Sequence, residues 1–417
     1  MAFLKGLPAA LLLLILFAGS AYSSEQTEPD LDALLEDVES RLASGSDDLQ
    51  LIFIHGMLLA EQGRFREAAD AFRNMLSRDP DLLRPRLELA RALMHSRDFD
   101  GARYHFEQVL AHELPDPVRR NVLHLLAFIR EESPSFSWTM ELVFDSNPKQ
   151  ATSSKEVEID GMVFRLSDDA RANSETGLRF VLDGRVPLGD PALWFARGHI
   201  EHQEFDGKEL DFSYLQLAGG RHFRLENQTV TLEAGYHWSL YQHTQLYHGV
   251  LWTAGYYRSL RPDLSMRLNL SGLQLNYFDY THLDGWQHTP SATLIYAASP
   301  KTRWHAEMGY IINRAGESSY SFDQPYVNLR YVREWTGGWI TGAGVKTSWI
   351  EYKDIDPFFR ETRREREIRL EADLLNRHIR FWRLSPRLLV GYAERDSNLD
   401  FYTWERSYVR VGMTAEF

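Results

Sequence analysis

Histidines are the residues of this chain that most invite a metal or catalytic site. There are 15 of them, and His237, His243 and His248 surround one predicted loop. Their spacing lacks the compact arrangement with carboxylates that holds zinc, and neither a paired-histidine helix motif nor a G-x-S-x-G motif occurs. The chain has no cysteine, which excludes thiolate catalysis, iron–sulfur clusters and cysteine–zinc sites. We therefore predict that the protein is not an enzyme, with no catalytic residue, no metal and no cofactor.

A second set of candidate residues consists of charged side chains that alternate with apolar ones. Such alternation places the charges on one face of a β-strand. If the strands close into a barrel with lipid outside, this face lines the lumen. Two interpretations stay open: a path for a transported molecule and, as the one we favour, a lining whose charges pair with one another. The predicted lumen residues are Glu233, Glu307, Arg369, Glu371, Asp373 and Arg410, and His237 alternates with apolar neighbours in the same way.

An arginine-rich run from Arg360 to Arg369 is the third candidate. It lies at a predicted outer loop and on the strand that descends from it. Guanidinium groups bind phosphates and carboxylates through paired hydrogen bonds. The run therefore contacts lipopolysaccharide phosphates or a transported protein, or else forms a solvated rim.

The elements that must position these residues are β-strands, because apolar residues recur at every second position from Ser137 onward. The alternation is clearest at 230–238, 304–312, 368–374 and 407–417. The aromatic final residue, Phe417, resembles the insertion signal of bacterial outer-membrane proteins. Aromatic residues make up 13% of a chain whose mean hydropathy is only −0.39. This combination is expected of a membrane barrel, in which only alternate residues face lipid.

Polar connections divide this region into strands. Short turns are predicted at 187–190, 224–228, 260–263, 298–301, 335–338 and 376–386. Longer loops are predicted at 145–174, 205–209, 242–247, 279–286, 314–323, 352–362 and 394–402. Six turns and seven loops join fourteen strands and place both ends of the barrel on the turn side, as in outer-membrane barrels with short periplasmic turns. A break in the alternation at Gly272 predicts a β-bulge.

The first residues have the layout of a secretory signal peptide. Lys5 precedes an almost wholly apolar stretch from Leu7 to Ala18, and small residues continue to Ser23. The apolar stretch is too short for a spanning helix, although an uncleaved anchor is the alternative. We predict a signal peptide at residues 1–23 and export of the rest. The net charge of −13 argues against nucleic acid as a partner.

Residues from about 49 to 115 repeat with a period of 34. The matched pairs are Gly56–Ala90, Leu59–Leu93, Phe65–Phe99, Ala68–Ala102, Phe72–Phe106 and Leu76–Leu110. This pattern resembles the tetratricopeptide repeat, in which a small residue lets two helices approach closely and a phenylalanine fills the space between hairpins. Further helices are predicted at 29–42 and 116–131, where they cap a stack of only two repeats.

A repeat module of this kind binds protein segments in a concave groove lined by the first helix of each hairpin. The alternative is that the apolar members belong to the core and the charged members are solvated. The predicted client-binding residues are Phe53, Met57, Glu61, Arg84, Arg91 and His95.

The order of signal peptide, short repeat domain, fourteen-strand barrel and terminal phenylalanine resembles the surface lipoprotein assembly modulator (Slam) family, the barrel component of type XI secretion. The local resemblance is strongest in the run from Arg84 to Ala90, at Leu114-Pro115, and at Trp138, which opens the barrel. It implies the fold class α plus transmembrane β. A tetratricopeptide-like domain over 24–136 would lie in the periplasm, and a 14-stranded barrel over 137–417 in the outer membrane.

Members of that family move lipoproteins or soluble effectors from the periplasm across the outer membrane. The resemblance therefore implies that the repeat groove captures an exported client, held unfolded by periplasmic chaperones, and that the barrel provides its route. The barrel-assembly machinery and outer-membrane lipid are the other implied partners. Two alternatives stay open. An exopolysaccharide-export barrel also joins such repeats to a barrel, whereas a solute-specific porin leaves the repeats without a function.

Overall fold

The computed structural model describes residues 31–159, 161–189, 193–206, 210–225, 228–379 and 384–416. The predicted signal peptide and the terminal Phe417 lie outside these ranges. The chain divides into two compact units after Val122. The first unit is helical and the second contains the strands.

Within the described residues, six helices precede the strands, and two pairs of them form the repeated hairpins. The helices are α1 (Leu31–Ala43), α2 (Leu49–Glu61), α3 (Phe65–Arg78), α4 (Leu83–His95), α5 (Phe99–Leu110) and α6 (Asp116–Glu132). The hairpins α2–α3 and α4–α5 correspond to the two copies of the 34-residue period, so the predicted tetratricopeptide-like fold is confirmed. None of the helices in the described part of the chain has an apolar stretch of the length that a lipid bilayer requires.

The matched positions of the repeat form the core of the helical unit. Phe72 and Phe106 are 1% and 0% exposed, and Ala68 and Ala102 are equally buried. The contact at Gly56 explains why this position of the repeat requires a small residue. A Cβ atom there would lie only 2.7 Å from Cε1 of Phe72. A larger residue would separate α2 from α3 and open a void in a closely packed interior.

Fourteen antiparallel strands close into a barrel, and this prediction is confirmed. Each barrel strand pairs with the barrel strands before and after it in the chain, and the first barrel strand also pairs with the last, from Ser137↔Glu416 to Asp145↔Tyr408. A separate two-stranded hairpin lies in the chain between the first and the second barrel strand. The strands are β1 (Ser135–Asp145), β2 (Glu156–Ile159), β3 (Met162–Arg165), β4 (Glu175–Leu188), β5 (Trp194–Phe205), β6 (Phe212–Leu225), β7 (Gln228–Tyr241), β8 (Thr244–Arg261), β9 (Leu264–Tyr277), β10 (Gly285–Ser299), β11 (Thr302–Ala315), β12 (Phe322–Glu334), β13 (Trp339–Ile355), β14 (Thr362–Asn376), β15 (Ser385–Ser397) and β16 (Trp404–Glu416).

The barrel wall has an apolar outer face and a polar inner face. On β1 the outward Met140 and Leu142 are 51% and 48% exposed, whereas Glu141 between them is 1% exposed. The same alternation on the other strands gives an apolar band around the outside. Such a band is stable only against the hydrocarbon of a membrane. The barrel therefore belongs in an outer membrane.

We call the two rims of the barrel the turn end, where Ser135 and Glu416 lie, and the loop end, which is the opposite rim.

Two sequence predictions about the connections are wrong. The connection predicted as a loop at 242–247 is a two-residue turn with positive φ at Gln242 and His243, as type I′ hairpins require. At Gly272 the register of β9 with both neighbours is unbroken. The strand therefore has no bulge at this position. The glycine interrupts the alternation for a different reason: its missing side chain leaves room for the indole of Trp252.

Candidate functional site: the barrel interior and the repeat helices

The inner wall is held together around a buried carboxylate on the first barrel strand. Glu141 on β1 contacts Arg179 on β4 at 2.9 Å and Arg387 on β15 at 3.5 Å. Since β16 lies between β1 and β15, this cluster links strands on both sides of the place where the barrel closes. At the loop end of the same closure, Arg406 on β16 donates to both carboxylate oxygens of Asp145 on β1.

From this cluster a chain of hydrogen bonds continues along the wall to β6. The guanidinium of Arg179 also donates to both oxygens of Glu201, at 2.9 and 3.1 Å. Glu201 accepts from the hydroxyl of Tyr214, which lies 2.8 Å from Nε2 of His199. The other ring nitrogen of His199 contacts Asp183 at 2.6 Å. Networks whose members all have partners make a wall rigid and specific.

Aromatic rings stack along the wall next to this chain. The ring centroids of Tyr214 and His237 are 5.5 Å apart, and those of His237 and Tyr247 are 5.1 Å apart. Tyr247 in turn lies 5.1 Å from Tyr277. His237 is 4% exposed and contacts Gln216 at 3.1 Å.

The six predicted lumen residues all lie at inward-facing positions, spread over four strands. Glu233 pairs with Arg197, and Asp373 with Arg330. Glu307 and Glu371 accept from tyrosine hydroxyls at 2.9 and 2.5 Å. Arg369 pairs with Glu367, and the guanidinium of Arg410 lies 5.2 Å from a tyrosine ring. The tyrosines are Tyr326 for Glu307, and Tyr408 for both Glu371 and Arg410. Five of these six charged groups therefore have an ion-paired or hydrogen-bonded partner, and the sixth, Arg410, lies beside a tyrosine ring.

The arginine-rich run divides between the two faces of β14. Arg363 points inward and lies between the rings of Tyr352 and Tyr402, at 3.7 and 3.9 Å. The exposed Arg364 and Arg366 point outward at the loop end. Burial and a hydrogen bond to Asp356 raise the pKa of Tyr402, so its hydroxyl stays protonated and donates to that carboxylate.

Sequence reasoning missed the buried acids Glu141 and Glu365, whose side chains are 1% and 0% exposed. For Glu141 a signal was present, because it alternates with Met140 and Leu142 as the predicted lumen residues do with their neighbours. Its two arginine partners come from other strands, however. No local pattern identifies them before the register is known.

On the repeat helices, the predicted groove residues fall into two groups. Arg84 and Arg91 on α4 contact the carboxylate of Glu88 at 2.8 and 3.5 Å, and that side chain is only 7% exposed. His95, one turn further on, stacks on Phe65 with ring centroids 4.7 Å apart.

The remaining three predicted residues lie on α2. Phe53 and Met57 are partly exposed. The ring of Phe53 also lies next to the buried ring of Phe72, with 5.8 Å between the two ring centroids. Glu61 is exposed at the end of the helix. The α2 positions therefore combine apolar and acidic groups, whereas the α4 face is mostly charged.

The barrel region matches the model of a known protein family. The family model described as surface lipoprotein assembly modifier matches residues 135–417. This range covers the barrel from its first strand. The chain belongs to this family. A tetratricopeptide repeat model also matches residues 59–123, within the helical part that precedes the family barrel.

Curated members of the family align with almost the whole chain. Surface lipoprotein assembly modifier 1 of Haemophilus influenzae is 21% identical over 397 residues, which is 89% of this chain and 78% of the relative. The protein of the same name from Neisseria meningitidis is also 21% identical, over 89% of this chain and 76% of its own length. Hemophilin secretion modulator of Acinetobacter baumannii is 20% identical over 402 residues, 89% of this chain and 80% of the relative.

Among solved structures, a Pseudomonas aeruginosa FadL homologue aligns with 69% of this chain and 90% of its own at 8% identity, with a TM-score of 0.39.

Proposed function

We propose that this protein delivers client lipoproteins or secreted proteins from the periplasm to the cell surface. In this proposal the helical repeats lie in the periplasm and bind the client, which periplasmic chaperones keep unfolded. The barrel, inserted by the barrel-assembly machinery, provides the route. The observation that carries the proposal is the family match over the entire barrel, together with relatives named for surface lipoprotein assembly and for hemophilin secretion.

The chemistry of the repeat helices supports client binding. An unfolded polypeptide presents apolar side chains together with charges of both signs. The α2 positions Phe53 and Met57 offer apolar contacts, and Arg84 and Arg91 on α4 offer guanidinium donors on either side of Glu88. Since Glu88 already neutralises part of that charge, binding there favours mixed sequences over strongly acidic ones.

The lining of the barrel supports a protein route. Most of its acids are paired with arginines or tyrosines, as for Glu201 with Arg179 and for Glu371 with Tyr408. A wall whose charges are already paired does not hold a passing chain through strong ion pairs of its own. Segments of different sequence can then move through it with similar ease.

A surface-exposure assay tests the proposal. The full chain is produced with a candidate lipoprotein in a Gram-negative host that lacks the family, and intact cells are treated with protease. We expect the client to be digested only when the full chain is present. A variant without residues 31–110 should still give a heat-modifiable barrel band on gels but should leave the client protected. If clients stay protected with the full chain and polymer secretion changes instead, the protein is an exopolysaccharide exporter and the proposal is wrong.

A further inference from the structure

The connection between β1 and β4, at the loop end, contains a small hairpin that is separate from the barrel sheet. Strands β2 and β3 pair only with each other among the described residues, from Glu156↔Arg165 to Ile159↔Met162. Each strand therefore has one edge whose backbone donors and acceptors meet no neighbouring strand. Unpaired edges of this kind readily accept a further strand from another chain.

The two faces of this hairpin differ in chemistry. Cross-strand pairing places Val157 opposite Phe164 and Ile159 opposite Met162, so these four apolar side chains share one face. Met162 is 59% exposed and Phe164 45% exposed, although both are large and apolar. The opposite face carries two glutamates and an arginine around Val163. The hairpin is thus amphipathic, and its apolar face is exposed at the β3 residues Met162 and Phe164.

The base of this connection is fixed to the barrel rather than loose. The buried side chain of Asn147 donates to the backbone oxygens of Ala151, at 2.8 Å, and of Glu405 on β16, at 2.9 Å. The amide of Ala172 donates to the oxygen of Thr152 at 3.0 Å, which closes the two arms of the connection. A held base lowers the entropy that a docking partner must overcome.

Several kinds of partner could cover an apolar hairpin face, and the charge and composition of the connection distinguish them. Residues 146–174 hold five acids and four bases, a net charge of 4 − 5 = −1, and no tryptophan or tyrosine. A segment that rests on anionic lipopolysaccharide would carry excess lysine or arginine and aromatic anchors. An isolated two-stranded hairpin is also marginally stable, and a third strand stabilises it. The missing neighbour is therefore best supplied by an extended polypeptide.

We propose that the β2–β3 hairpin is a docking arm for a β-strand of the exported protein as it emerges at the loop end. The strand adds to a free edge through backbone hydrogen bonds, and its apolar side chains cover Met162 and Phe164. This inference rests on the proposed function for the identity of the strand. Its first test does not depend on transport.

The first test uses the purified full chain in detergent micelles with a photo-cross-linking residue in place of Phe164. Two synthetic peptides serve as probes: one alternates valine and threonine, and the other has the same length but a proline at every third position. We expect the alternating peptide to be cross-linked about tenfold more than the proline-containing one, because burial of one apolar side chain raises the binding affinity by about that factor. Equal labelling of both peptides, or cross-links only between two copies of this chain or to lipopolysaccharide, would overturn the proposal.

The second test follows the client on cells. Met162→Ser combined with Phe164→Ser removes most of the apolar face, whereas Val163→Ser removes an exposed apolar residue from the opposite face and is the matched control. We expect the double variant to expose several-fold less folded client with the barrel band unchanged, and the control to match wild type. If both variants match wild type, the arm is not used by the client. If wild type itself exposes no client, the proposed function fails, and the peptide labelling still decides whether the hairpin binds a strand.

Discussion

Replacing Glu141 by glutamine should weaken the closure of the barrel. The substitution keeps the size of the side chain and removes its charge. In the folded barrel this carboxylate is 1% exposed and lies between Arg179 and Arg387. Without it, two guanidinium groups on opposite sides of the closure lose their shared partner.

The size of the effect follows from how well each arginine can be satisfied elsewhere. Removing one partner of a fully buried ion pair costs about 3–5 kcal/mol. Here Arg179 keeps its hydrogen bonds to Glu201, and Arg387 is 30% exposed and can be hydrated. We therefore expect a loss of about 2–3 kcal/mol, which is about a 30- to 150-fold change in the ratio of folded to unfolded barrel.

The assay is urea unfolding in micelles, followed by the heat-modifiable band on gels. Glu233→Gln is the matched control, because Glu233 has a single arginine partner, Arg197, whose side chain is 40% exposed. Loss of such a pair costs below about 1 kcal/mol. If Glu141→Gln unfolds within about 0.5 kcal/mol of wild type, or if the control costs as much, the cluster does not hold the closure and the reasoning is wrong.

Three further predictions concern other parts of the chain. Gly56→Val should destabilise the helical repeats by about 1–3 kcal/mol, because its side chain meets the ring of Phe72, and circular dichroism melting of the full chain measures this. Burial lowers the pKa of His105 below its ordinary value of 6.5. The unfolded chain then binds the proton more tightly, so helical stability is full above that value and is lost as the pH falls below it. His105→Gln should remove this loss in melts recorded on either side of the ordinary value. Asn147→Ala should expose the connection at 146–174 to trypsin several-fold faster, because two buried hydrogen bonds that hold its base are lost.

Matched substitutions serve as controls for the first and the third of these tests. Gln108→Val, at an exposed helical position, should cost below about 1 kcal/mol, and an equal cost for Gly56→Val would show that the close approach is unimportant. Ser153→Ala should leave the trypsin rate unchanged. An unaltered pH dependence in the His105 variant would place the titrating group elsewhere.

The architecture could be predicted because two periods in the sequence differ sharply. A 34-residue repeat with a small residue at Gly56 and phenylalanines at Phe72 and Phe106 has few solutions other than paired helices. Alternation over stretches such as 230–238 identifies strands and their inward faces. Both patterns are local, so they survive without knowledge of the partners.

Features that depend on pairing between distant strands were not predictable. The partners of Glu141 lie on β4 and β15, and only the register of the closed barrel brings them together.

Two local features also lacked a signal in the sequence. The turn at Gln242 and His243 has positive φ without the asparagine or glycine that usually marks such turns. The hairpin β2–β3 has strands of four residues each, which are too short for a distinct alternation.

The most direct test of the transport route uses the fact that the chain has no cysteine. A single cysteine is placed either at Thr253, which faces the lumen, or at its neighbour Ala254, which faces lipid, and a second one is placed in a client whose passage is stalled by a folded fusion domain. Oxidation should link the client to the variant Thr253→Cys and not to Ala254→Cys. A disulfide formed only from the lipid-facing position, or none from either while the client still reaches the surface, would contradict passage through the barrel.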